Sequence, residues 1–161
     1  MHGRDEFMLG VRHLFRLWGT VTLLALVAAG PVRGLPTEPT VADLKARLAS
    51  TSVGDKPHLC IEIAQKQLAE ADKLYAQGYF ENGQAALTDV VAFSELARDY
   101  AVESHKYQKQ SEIATRTMIR KLTDLLHSLG HDDRGPVQDA INHLQRVRDD
   151  LLMSMFPKGA K

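Results

Sequence analysis

Seven histidines, a single cysteine and a few paired acids are the side chains of this chain with chemistry to offer. The densest group is His127, His131, Asp132, Asp133 and His143, the nitrogen and oxygen ligands that hold divalent metals. His127 and His131 stand four apart, the interval that puts two ligands on one helix face, but Gly130 marks a helix end between them and the shared face is lost. His131-Asp132-Asp133 then reads as a solvated connection with an acid near the next helix's N-terminus. A calcium loop would need alternating oxygen ligands and a closing Glu, which this stretch lacks. His58 and His105 have no local partner at ligand spacing, and His2 and His13 fall in the N-terminal segment.

Covalent chemistry finds less. Cys60 has only His58 close by, and residues two apart on a helix do not face each other. No Gly-x-Ser-x-Gly elbow, phosphate-cradling glycine loop or heme-attachment cysteine pair occurs. Asp132-Asp133 and Asp149-Asp150 are carboxylate pairs, but a catalytic pair needs a pocket and an exposed helix face does not supply one. The expectation is a protein that is not an enzyme, with no cofactor and no assigned catalytic or metal residue. The alternative kept open is an extracytoplasmic sensor domain that responds to a ligand or metal at the His127 to Asp133 corner.

The elements that must position these residues are helices. From Glu81 to Leu129 the chain has no proline and only Gly83, near its start, with apolar residues at helical spacing. Leu87, Val90, Phe93, Ala97 and Tyr100 make the first half of a stripe, and Met118, Leu122, Leu125 and Leu129 the second. As one helix it would run about 70 Å. Its middle, Glu103 to Ser111, has Tyr107 as the sole large apolar side chain but contains no breaker, which predicts an unbroken helix. Gly130 is expected to close it in the left-handed position.

Two shorter helices flank this element. Asp55 and Pro57 predict a helix start, and Ile61, Ala64, Leu68, Ala71 and Tyr75 form its stripe up to a stop at Gly78. A final helix at about 136–155 shows Val137, Ala140, Ile141, Leu144, Val147, Leu151 and Met155 at three-and-four spacing. Thr40 with Asp43 is a partial capping box for a short helix at about 41–49. The fold class expected is all-α: a long central helix with two shorter helices packed back antiparallel on it. The two outcomes are a rod of abutting hairpins, or a compact four-helix bundle where the weak middle breaks.

The stretch Leu74-Tyr75-Ala76-Gln77-Gly78-Tyr79-Phe80-Glu81-Asn82-Gly83, with Ala71 just before it, carries a resemblance in which Gly78 would be an inter-helix glycine, Phe80 a turn aromatic, Gly83 the small residue at the helix crossing and Ala71 the small residue of the first helix. With these residues the segment at about 61–95 resembles a single tetratricopeptide hairpin, the paired-helix unit of interaction scaffolds. The resemblance implies a short helical hairpin. Only one copy is present, and repeat arrays need several to build a groove.

Composition sets the wider frame. A hydrophobic share of 44% suits a folded chain, and Lys plus Arg equals Asp plus Glu at 20 each, so no net charge draws nucleic acid. Arg4, Arg12 and Arg16 precede the uncharged stretch Leu17 to Gly30, which ends in small residues; this is the pattern of a signal peptide over 1–29, cleaved after Ala29 or Gly30. Met8 offers a second start that drops Asp5 and Glu6. The stretch is short against the roughly 20 residues that span a bilayer, so no stable membrane span is expected in the mature form. An uncleaved anchor is the alternative. Removing 1–29 leaves 17 bases against 18 acids. A lone Cys60 forms no internal disulfide and is expected as a half-buried, inert thiol beside the apolar positions of its helix, with an intermolecular bridge as the alternative. Residues 30–56 read as a linker carrying the short helix, 57–156 as the helical domain and 157–161 as a flexible tail. The expected role is an exported, non-catalytic helical protein acting through an unidentified protein partner or as a homo-oligomer, with Tyr75, Tyr79, Phe80, Tyr100 and Tyr107 as contact or packing aromatics.

Overall fold

The computed structural model describes residues 38–156, which form five α-helices and one 3-10 turn. The expected signal segment, the linker up to residue 37 and the tail at 157–161 lie outside the described residues. Helix α1, Val41–Ser50, opens on a complete capping box. The Asp43 backbone N–H donates to Thr40 Oγ1 at 3.2 Å and the Thr40 N–H donates to Asp43 Oδ2 at 3.0 Å. The Thr40 hydroxyl, which donates to Asp43 Oδ2 at 2.7 Å, and then the Thr40 N–H hold the Asp43 carboxyl below its ordinary pKa.

Helix α2, Lys56–Ala76, carries Pro57 in its first turn, where a missing N–H costs nothing. Asp55 heads it without capping it: its carboxylate accepts instead from Ser52 Oγ at 2.8 Å. Gly78 follows α2 at φ +79, a conformation that favours glycine. Helix α3, Phe80–Ser104, then returns antiparallel, as the tetratricopeptide resemblance implies. Gly83 lies against the Tyr75 ring so closely that an added Cβ would stand 2.7 Å from Cε2.

The unbroken long helix is not what forms. The chain leaves the helix after Ser104, puts His105 and Tyr107 in the left-handed region at φ 54 and 59, and restarts as α4, Gln108–Ser128. No local breaker causes this. Folding back lets all four major helices share one core of Leu68 and Tyr75 from α2, Leu87 and Val90 from α3, Met118, Leu122 and Leu125 from α4, and Val137, Ile141 and Leu144 from α5. Burying a large aliphatic side chain contributes about 1.5–3 kcal/mol, so half a dozen give on the order of 10 kcal/mol. Two left-handed residues at about 1–2 kcal/mol each cost less. Burial across the molecule wins over local helix preference, and the compact bundle is the outcome.

Gly130 also departs from expectation. Its φ is −61, and α4 ends instead because Leu129 turns extended (φ −91, ψ 150) to pack on the core while its carbonyl accepts from Arg134 Nε at 3.0 Å. The 3-10 turn His131–Asp133 leads into α5, Arg134–Met155.

Around the bundle the helices follow the order α2, α3, α5, α4. The sequential pairs α2/α3 and α4/α5 are antiparallel hairpins; across them α3 lies beside α5 and α2 beside α4, each pair parallel. The link from α3 to α4 therefore crosses a diagonal at the end of the bundle where Tyr107 meets His58 edge-on, ring centroids 5.9 Å apart. Helix α1 lies outside this ring. Its Leu44 packs with Leu59 and Ile63 of α2, flanked by Phe93, and Lys45 Nζ reaches Asp89 at 2.9 Å.

Candidate binding cleft between α3 and α5

Parallel neighbours run in register. Leu87 and Val91 of α3 lie opposite Pro136 and Ala140 of α5, Glu95 opposite His143, and Arg98 opposite Asp150. Small residues keep the helices from closing the seam completely: Ala92 and Ala140 line a cleft of about 370 Å³ with Leu87, Val91 and Pro136. The floor is apolar. Its rim is Gln84 and Thr88 on one side, Asp139 on the other, and Glu95 with His143 at the lower end. Glu95 Oε1 and His143 Nδ1 are 3.4 Å apart, both side chains partly exposed. No lysine or arginine lines this part, so it presents two carboxylates around an apolar floor.

Below Glu95 the seam becomes charged. Arg98 Nη1 donates to Asp150 Oδ2 at 2.9 Å and its Nε donates to Asp99 Oδ1 at 2.9 Å. Burial works against the Arg98 charge, but the hydrogen bonds and charges of these two acids outweigh it and raise its pKa. A second hollow here adds Arg146 and Asp149, and the seam ends at exposed Val102 and Met153. One groove thus passes from an apolar, acid-rimmed half through a charged middle to an apolar end.

The other residues singled out for chemistry do not come together. His131 and Asp132 are almost fully exposed, with His131 Nδ1 3.6 Å from Asp132 Oδ1, and His127 is exposed on the last turn of α4. His143 belongs to the α3/α5 seam instead. Among the described residues no three His, Cys, Asp or Glu side chains converge. His58 faces outward against Tyr107 while Cys60 is wholly buried, its thiol pushed up to about 11 by burial against the opposing charge of Lys56. Of the Asp149-Asp150 pair, Asp150 is occupied by Arg98 and Asp149 stays on the surface. Tyr75 is core, Tyr79 and Phe80 are exposed at the α2/α3 turn, and Tyr100 lies beneath the Lys56 ammonium.

The cleft was not readable as a site from the sequence. Its acids Glu95 and Asp139 sit beside the apolar stripes of α3 and α5 like ordinary flanking charges. What joins them is the parallel pairing of those helices, which within one chain requires the fold-back at 105–107.

No family model, curated protein or solved structure matches this chain. No helix of the described residues is long and apolar enough to cross a membrane.

Proposed function

We propose that the chain is an exported, non-catalytic helical protein that works by binding another protein, and that the α3/α5 cleft receives an amphipathic helix of that partner. The observation that carries this reading is the pairing of an apolar floor (Leu87, Val91, Ala92, Pro136, Ala140) with an acidic rim that holds no lysine or arginine. A helix laid in such a groove buries apolar anchors at three-and-four spacing. The rim carboxylates select a partner whose anchors are bordered by lysine or arginine, since opposite charges raise the association rate and like charges reject wrong partners. Export rests on the basic and apolar N-terminal segment, and the partner is sought in the compartment beyond the membrane.

The test places a photo-crosslinking residue at exposed Ala92 and a second, as control, at Glu70 on α2. The expected result is a defined adduct from Ala92 alone that disappears when Glu95→Lys and Asp139→Lys reverse the rim, with helix content unchanged by circular dichroism. Equal labelling from both positions, or an Ala92 adduct indifferent to rim charge, overturns the reading.

A further inference from the structure

The connection between α3 and α4 is strained where the sequence gives no reason for strain. His105 and Tyr107 both occupy the left-handed region, at φ 54 and 59; histidine is among the residues enriched there, but for the bulky Tyr107 the conformation is an outlier. The helix ends on either side are thinly capped: at the end of α3 only Ser104 takes part, accepting from the Lys106 N–H at 3.3 Å and donating to the Tyr100 carbonyl at 2.6 Å. Helix α4 has no side-chain cap and no acid in its first turn, and α3 has no basic residue in its last turn. First-turn N–H groups and last-turn carbonyls lack intrahelical partners at such ends, and sequences that end helices here usually supply capping residues and charges of the favourable sign. Gln108 Nε2 and Ser111 Oγ, within about a turn of the link, are also buried without a hydrogen-bond partner. Residues 103–111, by contrast, all tolerate a helix.

We propose that this link is a hinge through which two copies of the chain exchange hairpins. Straightened, Phe80–Ser128 becomes one helix of about 70 Å, and the N–H groups at the start of α4 find the carbonyls at the end of α3. The α4/α5 hairpin then leaves its own α2/α3 hairpin and docks on that of a second copy, rebuilding the four-helix core with the same contacts. Contacts within each hairpin stay in one chain, while those between hairpins, including Arg98 with Asp150, are kept but now join two chains. The occupant is a second copy because no other surface reproduces the α2/α4 and α3/α5 seams. Exchange of identical elements through a short strained hinge is the low-cost route to a dimer. What holds the closed form is local: the edge contact of Tyr107 with His58, and the Lys106 side chain laid on Gly54.

The test refolds the purified full chain from denaturant at high and low concentration and measures mass by light scattering after size separation. The expected result is a dimer that forms on concentrated refolding and reverts slowly on dilution. His105→Ala with Tyr107→Ala is expected to raise its fraction several-fold, and His105→Gly with Tyr107→Gly, which relaxes the left-handed link, to lower it several-fold. Arg98→Cys with Asp150→Cys, treated with a short bismaleimide, distinguishes exchange from side-by-side association: the exchanged dimer is linked chain to chain, the closed monomer only within itself. A wild-type chain and alanine variant that both refold only as monomer, a dimer fraction equal in all three chains, or a dimer carrying only intrachain links overturns the proposal. Should the alanine variant fail to fold, the glycine variant and the crosslink still decide it.

Discussion

Cys60 shows how much a single position is governed by its surroundings. It stands on the inner face of α2 with no exposed surface, and burial raises its thiol from 9.0 to about 11. The folded protein is therefore expected to resist thiol reagents at pH 8 and to react fully only when unfolded. Linkage fixes the sign of the pH effect. Below pH 9 the thiol is protonated in both states; between pH 9 and 11 the unfolded chain ionises first, so the stability this group contributes is present at low pH and lost as pH rises through the folded value. The loss is on the order of 2 kcal/mol. Tyr75, raised by burial and then by Asp133, acts in the same direction at higher pH. Urea unfolding of the wild type and Cys60→Ala at pH 8 and pH 11 checks this: the gap between them narrows as pH rises. Two glycines make a second pair of tests. Gly83→Ala drives a methyl into the Tyr75 ring and is expected to destabilise by about 1–2 kcal/mol despite alanine's better helix propensity. Gly135→Ala meets nothing within 4 Å in the first turn of α5 and is expected to raise stability by up to about 1 kcal/mol. Thermal melts of both variants read the opposite signs.

At the scale of the helix, α4 carries an unusual inner face. Ser111 and Thr115 are buried with unpartnered hydroxyls, and Glu112 beside them, 7% exposed, accepts from Arg148 Nε at 3.0 Å. A buried hydroxyl without a partner costs about 1–3 kcal/mol relative to an apolar group of the same shape. Thr115→Val is thus expected to stabilise the fold by about 1 kcal/mol, whereas Glu112→Gln, which weakens the link to Arg148, destabilises it; chemical denaturation of both checks the pair. This face also explains which helices were legible in the sequence. The capping box at Thr40 and Asp43, the α2 stripe ending at Gly78 and the α5 stripe from Val137 to Leu151 are local patterns, and each appears where it was expected. The turn at 105–107 is not local. Its polar residues suit a helix, and Tyr107 carries no mark of a left-handed position, so only the gain from joining the stripes of α3 and α4 in one core reveals it. Ser111 and Thr115 were invisible for a related reason: in a rod they would be surface residues, and the fold-back is what buries them. The α3/α5 cleft inherits the same dependence.

Across the whole molecule the core is unequal. One cluster draws side chains from α2, α3, α4 and α5, while α1 adheres through Leu44 to Leu59 and Ile63 and through Lys45 to Asp89. These two regions should respond differently to the same chemical change. Leu122 is fully buried in the cluster shared by all four major helices, so Leu122→Ala opens a cavity in the core that joins both hairpins; it is expected to lower global stability by about 2–5 kcal/mol and shift the whole unfolding transition. Leu44 is equally buried, yet Leu44→Ala loosens a ten-residue helix that the bundle does not need for its ring of four. An isolated helix of that length is marginal in water even with its capping box. Its loss releases α1 while leaving the four-helix transition nearly where it was, and local opening of this kind is what hydrogen exchange resolves. The expected pattern is that Leu44→Ala exposes the amides of Val41–Ser50 alone, with Val90, Leu122 and Leu144 still protected to the global limit, and that Leu122→Ala lowers protection at those core positions in all the major helices together. Equal global destabilisation by the two substitutions would mean that α1 is an integral fifth member of the core and that the bundle does not stand on its four helices.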